Sequence, residues 1–207
     1  MTQDTDGYKT IKGESQGLYR EKGSKFIAMA FPVKETDQVR EITDRLRKEY
    51  HDARHHCYAY MLGADRNTWR VNDDGEPSGT AGRPILGQIN SSELTDILIV
   101  VIRYFGGTLL GVSGLITAYR TAAADAIANA EIVSRKVTCS IAIGFPYIAL
   151  NDVMKLVKEN HEIEQTGQSF DNICSVTLSL PISLRKTVIS KLQKINGITI
   201  SGVVEDK

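Results

Sequence analysis

Two periods of apolar and polar residues alternate along this chain, and each change of period marks a new element. Lys25 to Val33 ("KFIAMAFPV") predicts a strand. Val39, Ile42, Leu46 and Tyr50 then recur at helical spacing, with Thr36 as cap and Asp37 as first-turn acid. "HHCYAYMLG" from His55 predicts a second strand and Ile97 to Phe105 a third. The unbroken apolar run of the third strand, "ILIVVI", fits a sheet centre covered on both faces. "GGTLLGVSG" leads into "LITAYRTAAADAIANA", a helix that Ser113 would cap. Leu115, Tyr119, Ala122 and Ala126 share one face of it, and the alanines allow close approach to a sheet.

From Val137 the pattern restarts. Val137, Cys139, Ile141 and Ile143 alternate with Thr138, Ser140 and Ala142, as in a half-buried strand. A helix follows (Leu150, Val153, Met154, Val157), then a short strand around Ile163 and an alternating strand from Cys174 to Leu180. Ser183 would cap a last helix that stops at Asn196-Gly197, and "ITISGVV" closes the pattern. The order βαββαβ predicts a ferredoxin-like half with one bare sheet face carrying Thr138, Ser140, Ser175, Thr177, Thr199 and Ser201. That face has no aromatic residue, which excludes an RNA-recognition sheet that stacks bases. The expected fold class is therefore α+β in two domains, residues 1–135 and 136–207.

Composition sharpens this picture little. Charge balances at 25 basic and 25 acidic residues, and neither half is a polycation, so any nucleic-acid contact needs a local patch. Cys57, Cys139 and Cys174 are odd in number, far apart and contain no C-x-x-C, as in a reducing cytosol. The N-terminal stretch is polar, without the apolar core of a signal peptide, and "ILIVVI" is too short to span a bilayer. A cytoplasmic protein with no membrane contact is expected.

The stretch with most chemistry is "VNDDGEPSGTAGRPIL", Val71 to Leu86. It is too long for a plain connection, so it is functional or packs on itself. With Gly75 as the turn glycine of a calcium loop, Arg70 and Ala81 would take the first and last ligand positions, which neither can fill. Gly82-Arg83-Pro84 lacks the Lys-Ser/Thr pair of a Walker loop. Leu109 breaks the dinucleotide pattern G-x-G-x-x-G, and Leu115 breaks the nucleophile elbow around Ser113. Two readings of Gly106, Gly107, Gly111 and Gly114 stay open: backbone N–H donors to an anion at a helix start, or a tight turn beneath a packed helix. Asn72 to Gly75 reads as a turn held by side-chain-to-backbone bonds. Asp74 and Glu76 could act as a general base, bind Mg²⁺, or fix Arg54, Arg83 or Arg103 in a network. His55 and Cys57 share one strand face and His56 the other. A full zinc set is lacking, a Cys–His nucleophile pair is conceivable, and buried or hydrogen-bonded strand residues are the preferred reading. No cofactor or metal is expected.

Three segments together carry a resemblance: "DARHHCYAY" (Asp52 to Tyr60), "NDDGEPSGTAGRPIL" (Asn72 to Leu86) and "VVIRYFGGTLLGVSGLITAY" (Val100 to Tyr119). The sequence resembles the IMPACT family in its bacterial YigZ-type form over roughly Lys25 to Ala130. The resemblance implies an N-terminal domain of the ribosomal-protein-S5 domain-2-like fold. It also implies a ferredoxin-like C-terminal domain similar to one in an elongation factor. Eukaryotic relatives act in translational control by competing for an activator of an initiation-factor kinase. They carry an extra N-terminal interaction domain that this sequence lacks, so the kinase pathway is not expected to carry over.

These observations converge on one spatial expectation. Arg54, His56, Arg83 and Arg103 would form an anion-binding patch. The turn carrying Gly106, Gly107, Gly111, Ser113 and Gly114 would supply N–H donors, and Asp74 and Glu76 would hold the arginines. The first functional expectation is a non-enzymatic, translation-associated protein that binds RNA or a ribosome-associated factor through this patch. One alternative is an enzyme acting on a phosphorylated or nucleotide small molecule at the glycine turn, with the carboxylates holding Mg²⁺. Another is a protein-interaction module using the polar sheet face of the C-terminal half. The sequence sets no oligomeric state.

Overall fold

A computed structural model describes residues 7–170 and 173–205, without the side chains of 170 and 205. The described chain forms two compact units, one spanning Tyr8–Arg135 and a second that begins at Lys136. In chain order, the first part contains β1 (Gly7–Ile11), β2 (Ser15–Glu21), β3 (Ser24–Pro32), α1 (Thr36–Glu49), β4 (His55–Leu62), β5 (Thr68–Asn72), α2 (Gly82–Ser91), β6 (Ile97–Tyr104), α3 (Gly111–Ala128) and β7 (Ile132–Lys136).

Five of these strands form an antiparallel sheet in the order β2-β3-β6-β4-β5, while β1 pairs with β7. The apolar run of β6 lies at the sheet's centre, where Ile97 through Ile102 are fully buried. Strand alternation sends Ile97, Ile99 and Val101 into a core beneath α2 and α3. Leu98, Val100 and Ile102 enter a second core beneath α1. Both faces being covered, the strand has no need of polar alternation. The alanines of α3 are needed because the helix lies directly on β2. A Cβ added at Gly17 would stand 2.2 Å from the backbone nitrogen of Ala126. Ser15 Oγ donates to the Ala126 carbonyl at 2.8 Å, and Asp125 accepts from the Leu18 N–H at 2.8 Å, fixing the edge strand to the helix.

The second unit contains β8 (Thr138–Phe145), α4 (Leu150–Glu159), β9 (Glu164–Phe170), β10 (Cys174–Pro181), α5 (Arg185–Leu192) and β11 (Thr199–Glu205). Its sheet order is β11-β8-β10-β9. Cys139, Ile141, Val176 and Leu178 on one face meet Val153 and Leu156 of α4 and Val188 and Leu192 of α5. The opposite face holds the intervening Ser, Thr and Ala residues. A register shift between Ile200 and Gly202 puts Ser201 in a bulge, and pairs the exposed Val204 with Ser140. The bare face is thus less uniformly polar than simple alternation predicts.

Several local expectations are corrected. The cap of α1 is Glu35 rather than Thr36, with Gln38 Oε1 accepting from the N–H groups of Lys34 and Glu35. Helix α3 starts two residues before Ser113, with Leu110 at its cap position and no side-chain cap bond. Ser113 uses its backbone carbonyl to accept from Thr117 Oγ1. Ser183 lies in a 3₁₀ turn, Ile182–Leu184, ahead of α5. Helix α5 ends at Leu192, four residues short of Asn196, although Gly197 does take a positive φ of 82°. The polar stretch from Val71 is also not one loop, because Gly82 opens α2.

Candidate functional site

Strand register brings four segments to one end of the five-stranded sheet. Lys25 pairs with Tyr104, so the β2–β3 hairpin lies beside the end of β6. His55 pairs with Arg103, which puts the start of β4 there too. Asn72 pairs with Tyr58, so β5 delivers the loop 73–80 to the same end.

That loop is built by its own carboxylates. Asn72 Oδ1 accepts from the Asp74 N–H at 2.7 Å, and Asp74 (φ 42°) and Gly75 (φ 85°) turn the chain through the left-handed region. Asp73 accepts from three backbone N–H groups, those of Gly79, Ala81 and Gly82, at 2.8, 3.1 and 2.8 Å. These include the free donors at the start of α2, where a negative charge is favoured. Asp74 accepts from the His56 N–H and from Arg47, each at 2.6 Å.

Glu76 reaches further inward, its side chain only 3% exposed. One oxygen accepts from Arg103 at 2.5 Å and from the Tyr119 hydroxyl at 2.8 Å. His55 Nε2 stands 3.8 Å from that oxygen, while His55 Nδ1 lies 2.8 Å from the Asp74 carbonyl. A carbonyl can only accept, so in neutral His55 the proton is on Nδ1. The Arg103 guanidinium lies 5.4 Å from the Phe26 ring centre and 5.6 Å from that of Phe105. Cys57 Sγ is 3.0 Å from the Asp73 carbonyl and 3.3 Å from the Tyr119 hydroxyl. Burial pushes the Cys57 thiol and the Tyr119 phenol well up, so both keep their protons at neutral pH. Cys57 is thus no activated thiolate. Among the described residues no group of three or more His, Cys, Asp or Glu could hold a metal ion.

The expected patch is only partly assembled. Arg103 is buried and paired with Glu76, and is not presented to an outside anion. His56 is buried on the opposite sheet face, against α1. Burial lowers its pKa, although Asp74 opposes the shift. Asp74 holds Arg47 of α1 in place of Arg54, Arg83 or Arg103. Arg83 is exposed in the first turn of α2, and Arg54 is exposed just before β4, its N–H donating to the Arg103 carbonyl at 3.1 Å.

The glycine turn is more open. Gly106, Gly107 and Gly111 are exposed and Gly114 half-buried, and Gly107 and Gly111 have positive φ (86° and 70°). The Gly106 N–H already donates to Ser24 Oγ at 3.1 Å. Its backbone rests on the β2–β3 hairpin, where an added Cβ would stand 1.9 Å from the Gly23 carbonyl carbon. Tyr119 was expected only as a core residue. A buried tyrosine needs a hydroxyl partner, and that requirement was the available signal for Glu76. Nothing in the sequence singles out Arg47.

Residues 22–127, more than half of the chain, match the Impact N-terminal domain. The chain belongs to the IMPACT family. It is 33% identical over 153 residues to the IMPACT family member YvyE of Bacillus subtilis, covering 74% of this chain and 70% of that protein. Over 100 residues it is 43% identical to the family member YigZ of Escherichia coli, about half of each chain. Among solved structures, a hypothetical protein matches over 98% of both chains, with 25% identity and a TM-score of 0.72. The matched IMPACT region contains the whole loop 73–80, the Arg103–Glu76 pair and the glycine turn. Among the described residues no helix is long and apolar enough to cross a membrane.

Proposed function

We propose that this IMPACT-family chain is a cytoplasmic, non-enzymatic binding protein of the translation machinery. It receives a phosphate-bearing partner at the end of the five-stranded sheet where the hairpin and the glycine turn meet. One observation carries this reading: Arg20, Lys22, Lys25 and Arg54 gather at that end, and none forms an ion pair among the described residues. Arg20 pairs in register with Lys25, and Lys25 with Tyr104, beside the backbone of Gly106. The patch is therefore centred on these residues and Arg54, with Arg103 behind it as scaffold. The enzyme alternative is disfavoured because Asp73, Asp74 and Glu76 already have protein partners, leaving no carboxylate of the loop free to hold Mg²⁺. The two domain names follow the same line. Tyr8–Arg135 is read as the S5 domain-2-like part. The order β11-β8-β10-β9 around two helices supports a ferredoxin-like second part.

The test is fluorescence anisotropy with a labelled RNA hairpin and with purified ribosomes across a salt series. Roughly three to four phosphate contacts predict an affinity loss of roughly 40- to 150-fold between about 50 and 200 mM salt. The double variant Lys22→Glu/Arg54→Glu should abolish binding. Salt-independent association, or none at low salt, rejects the reading.

A further inference from the structure

We infer that Phe105 is a stacking platform for an unpaired nucleobase, with Lys22 and Arg54 taking the attached phosphate; this rests on the reading just given and names its ligand. Phe105 stands one residue beyond β6, where the strand leaves the core, and is 40% exposed. Its ring lies against the Arg103 guanidinium, which lies in turn against Phe26. Glu76 holds that guanidinium in a buried pair. The stack Phe26–Arg103–Phe105 is therefore fixed at its inner end and open at its outer one. A ring braced in this way loses little freedom when a flat partner lands on it, and immobilisation is a main cost of binding.

The surroundings suit a base carrying a phosphate. The next residue, Gly106, is pinned to the hairpin by Ser24, and beyond it a Cβ at Gly107 would meet nothing within 4 Å. No side chain of the turn's two glycines blocks approach. Lys22 is exposed in the hairpin whose Gly23 touches Gly106, and Arg54 is exposed on the segment bonded to Arg103. The acidic groups nearby are engaged: Glu21 by the Tyr19 hydroxyl, Asp52 by the Tyr104 hydroxyl and Glu76 by Arg103. Paired bases are hidden within a duplex stack, so a lone exposed ring selects bases that are free to splay out. Single-stranded RNA and a free nucleotide both offer this chemistry.

Trp69 is the sole tryptophan and is 54% exposed, so Trp69→Phe/Phe105→Trp gives a reporter at the platform alone. Its fluorescence is titrated with a single-stranded 12-mer, the same sequence as a duplex, and AMP. Quenching by the 12-mer at much lower concentration than by the duplex is expected. Quenching by AMP at similar concentration to the 12-mer assigns the site to a free nucleotide, and weaker AMP quenching assigns it to RNA. By anisotropy, Phe105→Ala and Phe105→Leu should each weaken the 12-mer by about ten-fold. Their salt dependence should stay that of the parent protein, because the phosphate contacts remain. Equal binding of single strand and duplex, undisturbed in both variants, overturns the platform while leaving the basic patch intact. No binding of any nucleic acid at low salt overturns platform and patch together, and leaves a protein partner for the exposed Phe105, Leu109 and Val112.

Discussion

Two loops leave the same end of the five-stranded sheet and treat their polar groups in opposite ways. In the loop 73–80 each carboxylate is engaged within the protein: Asp73 on the start of α2, Asp74 on β4 and α1, Glu76 on Arg103 and Tyr119. In the turn from Phe105 to Gly111 the backbone is largely exposed, and the neighbouring Lys22, Lys25 and Arg54 form no ion pair among the described residues. The loop richer in chemical groups is thus the scaffold, and the one poorer in them is the surface left for a partner. A polar cluster points to binding only after its internal partners have been subtracted.

The sharpest way to break this contrast is at Glu76. Glu76→Ala leaves the Arg103 guanidinium buried without its counter-charge and the Tyr119 hydroxyl without its acceptor. A loss of about 3–5 kcal/mol is expected, read from urea midpoints. Glu76→Gln keeps an acceptor for Tyr119 and should cost less. Parent-like stability in both variants would show that the pair is not structural and reopen Glu76 as a functional carboxylate.

Asp73 comes next. Asp73→Ala removes the acceptor of three N–H groups, a loss of about 2–3 kcal/mol given that capping bonds cost roughly 1 kcal/mol each. Hydrogen exchange should quicken first at Gly79, Ala81 and Gly82. Protection unchanged at those amides would contradict the capping role.

What the sequence reveals and what it hides divide along the same line. The centre of the sheet is readable because β6 is buried on both faces, and an unbroken apolar run has few other homes. Helix α3 is readable as packed because its alanines allow contact with Gly17. Strands β1, β2 and β5 escape notice because they lie at edges or outside the main sheet, where polar residues face solvent and blur alternation. Helix α2 is hidden by Gly82 and Pro84, which read as turn residues, although Pro is at home in a first helical turn and Asp73 replaces a local cap. At the candidate site, spacing identifies the participants but cannot tell which way a side chain turns. Arg103 and Arg54 look alike in sequence, yet Arg103 lies on β6 and turns into a buried pair, while Arg54, in the bend before β4, stays in water.

A smaller effect tests the buried side of the contrast through pH. His56 is buried with its pKa lowered, and its Nε2 has no hydrogen-bond partner among the described residues. A histidine depressed in the folded state binds its proton more readily when unfolded. Its stabilising contribution is complete above the unfolded value of about 6.5 and is lost as pH falls through the lower folded value. Urea midpoints should therefore drop between about pH 7.5 and pH 5, and His56→Gln should flatten that drop. An undiminished slope in the variant would assign the acid sensitivity to another group.

The smallest change in stability is expected on the open side, and its smallness is the point. Lys22 and Arg54 are exposed and form no ion pair among the described residues, so Lys22→Ala and Arg54→Ala should each shift stability by no more than about 0.5 kcal/mol. The same substitutions remove one phosphate contact each, so the slope of log affinity against log salt should fall by about 0.7 to 0.9 per residue. Glu76→Gln should behave in the reverse sense, with a stability loss and no change of slope in whatever fraction stays folded. If Arg54→Ala instead destabilises the protein while leaving the salt slope alone, Arg54 belongs with Arg103 to the scaffold. The partition between the two loops would then have been drawn one residue too far out.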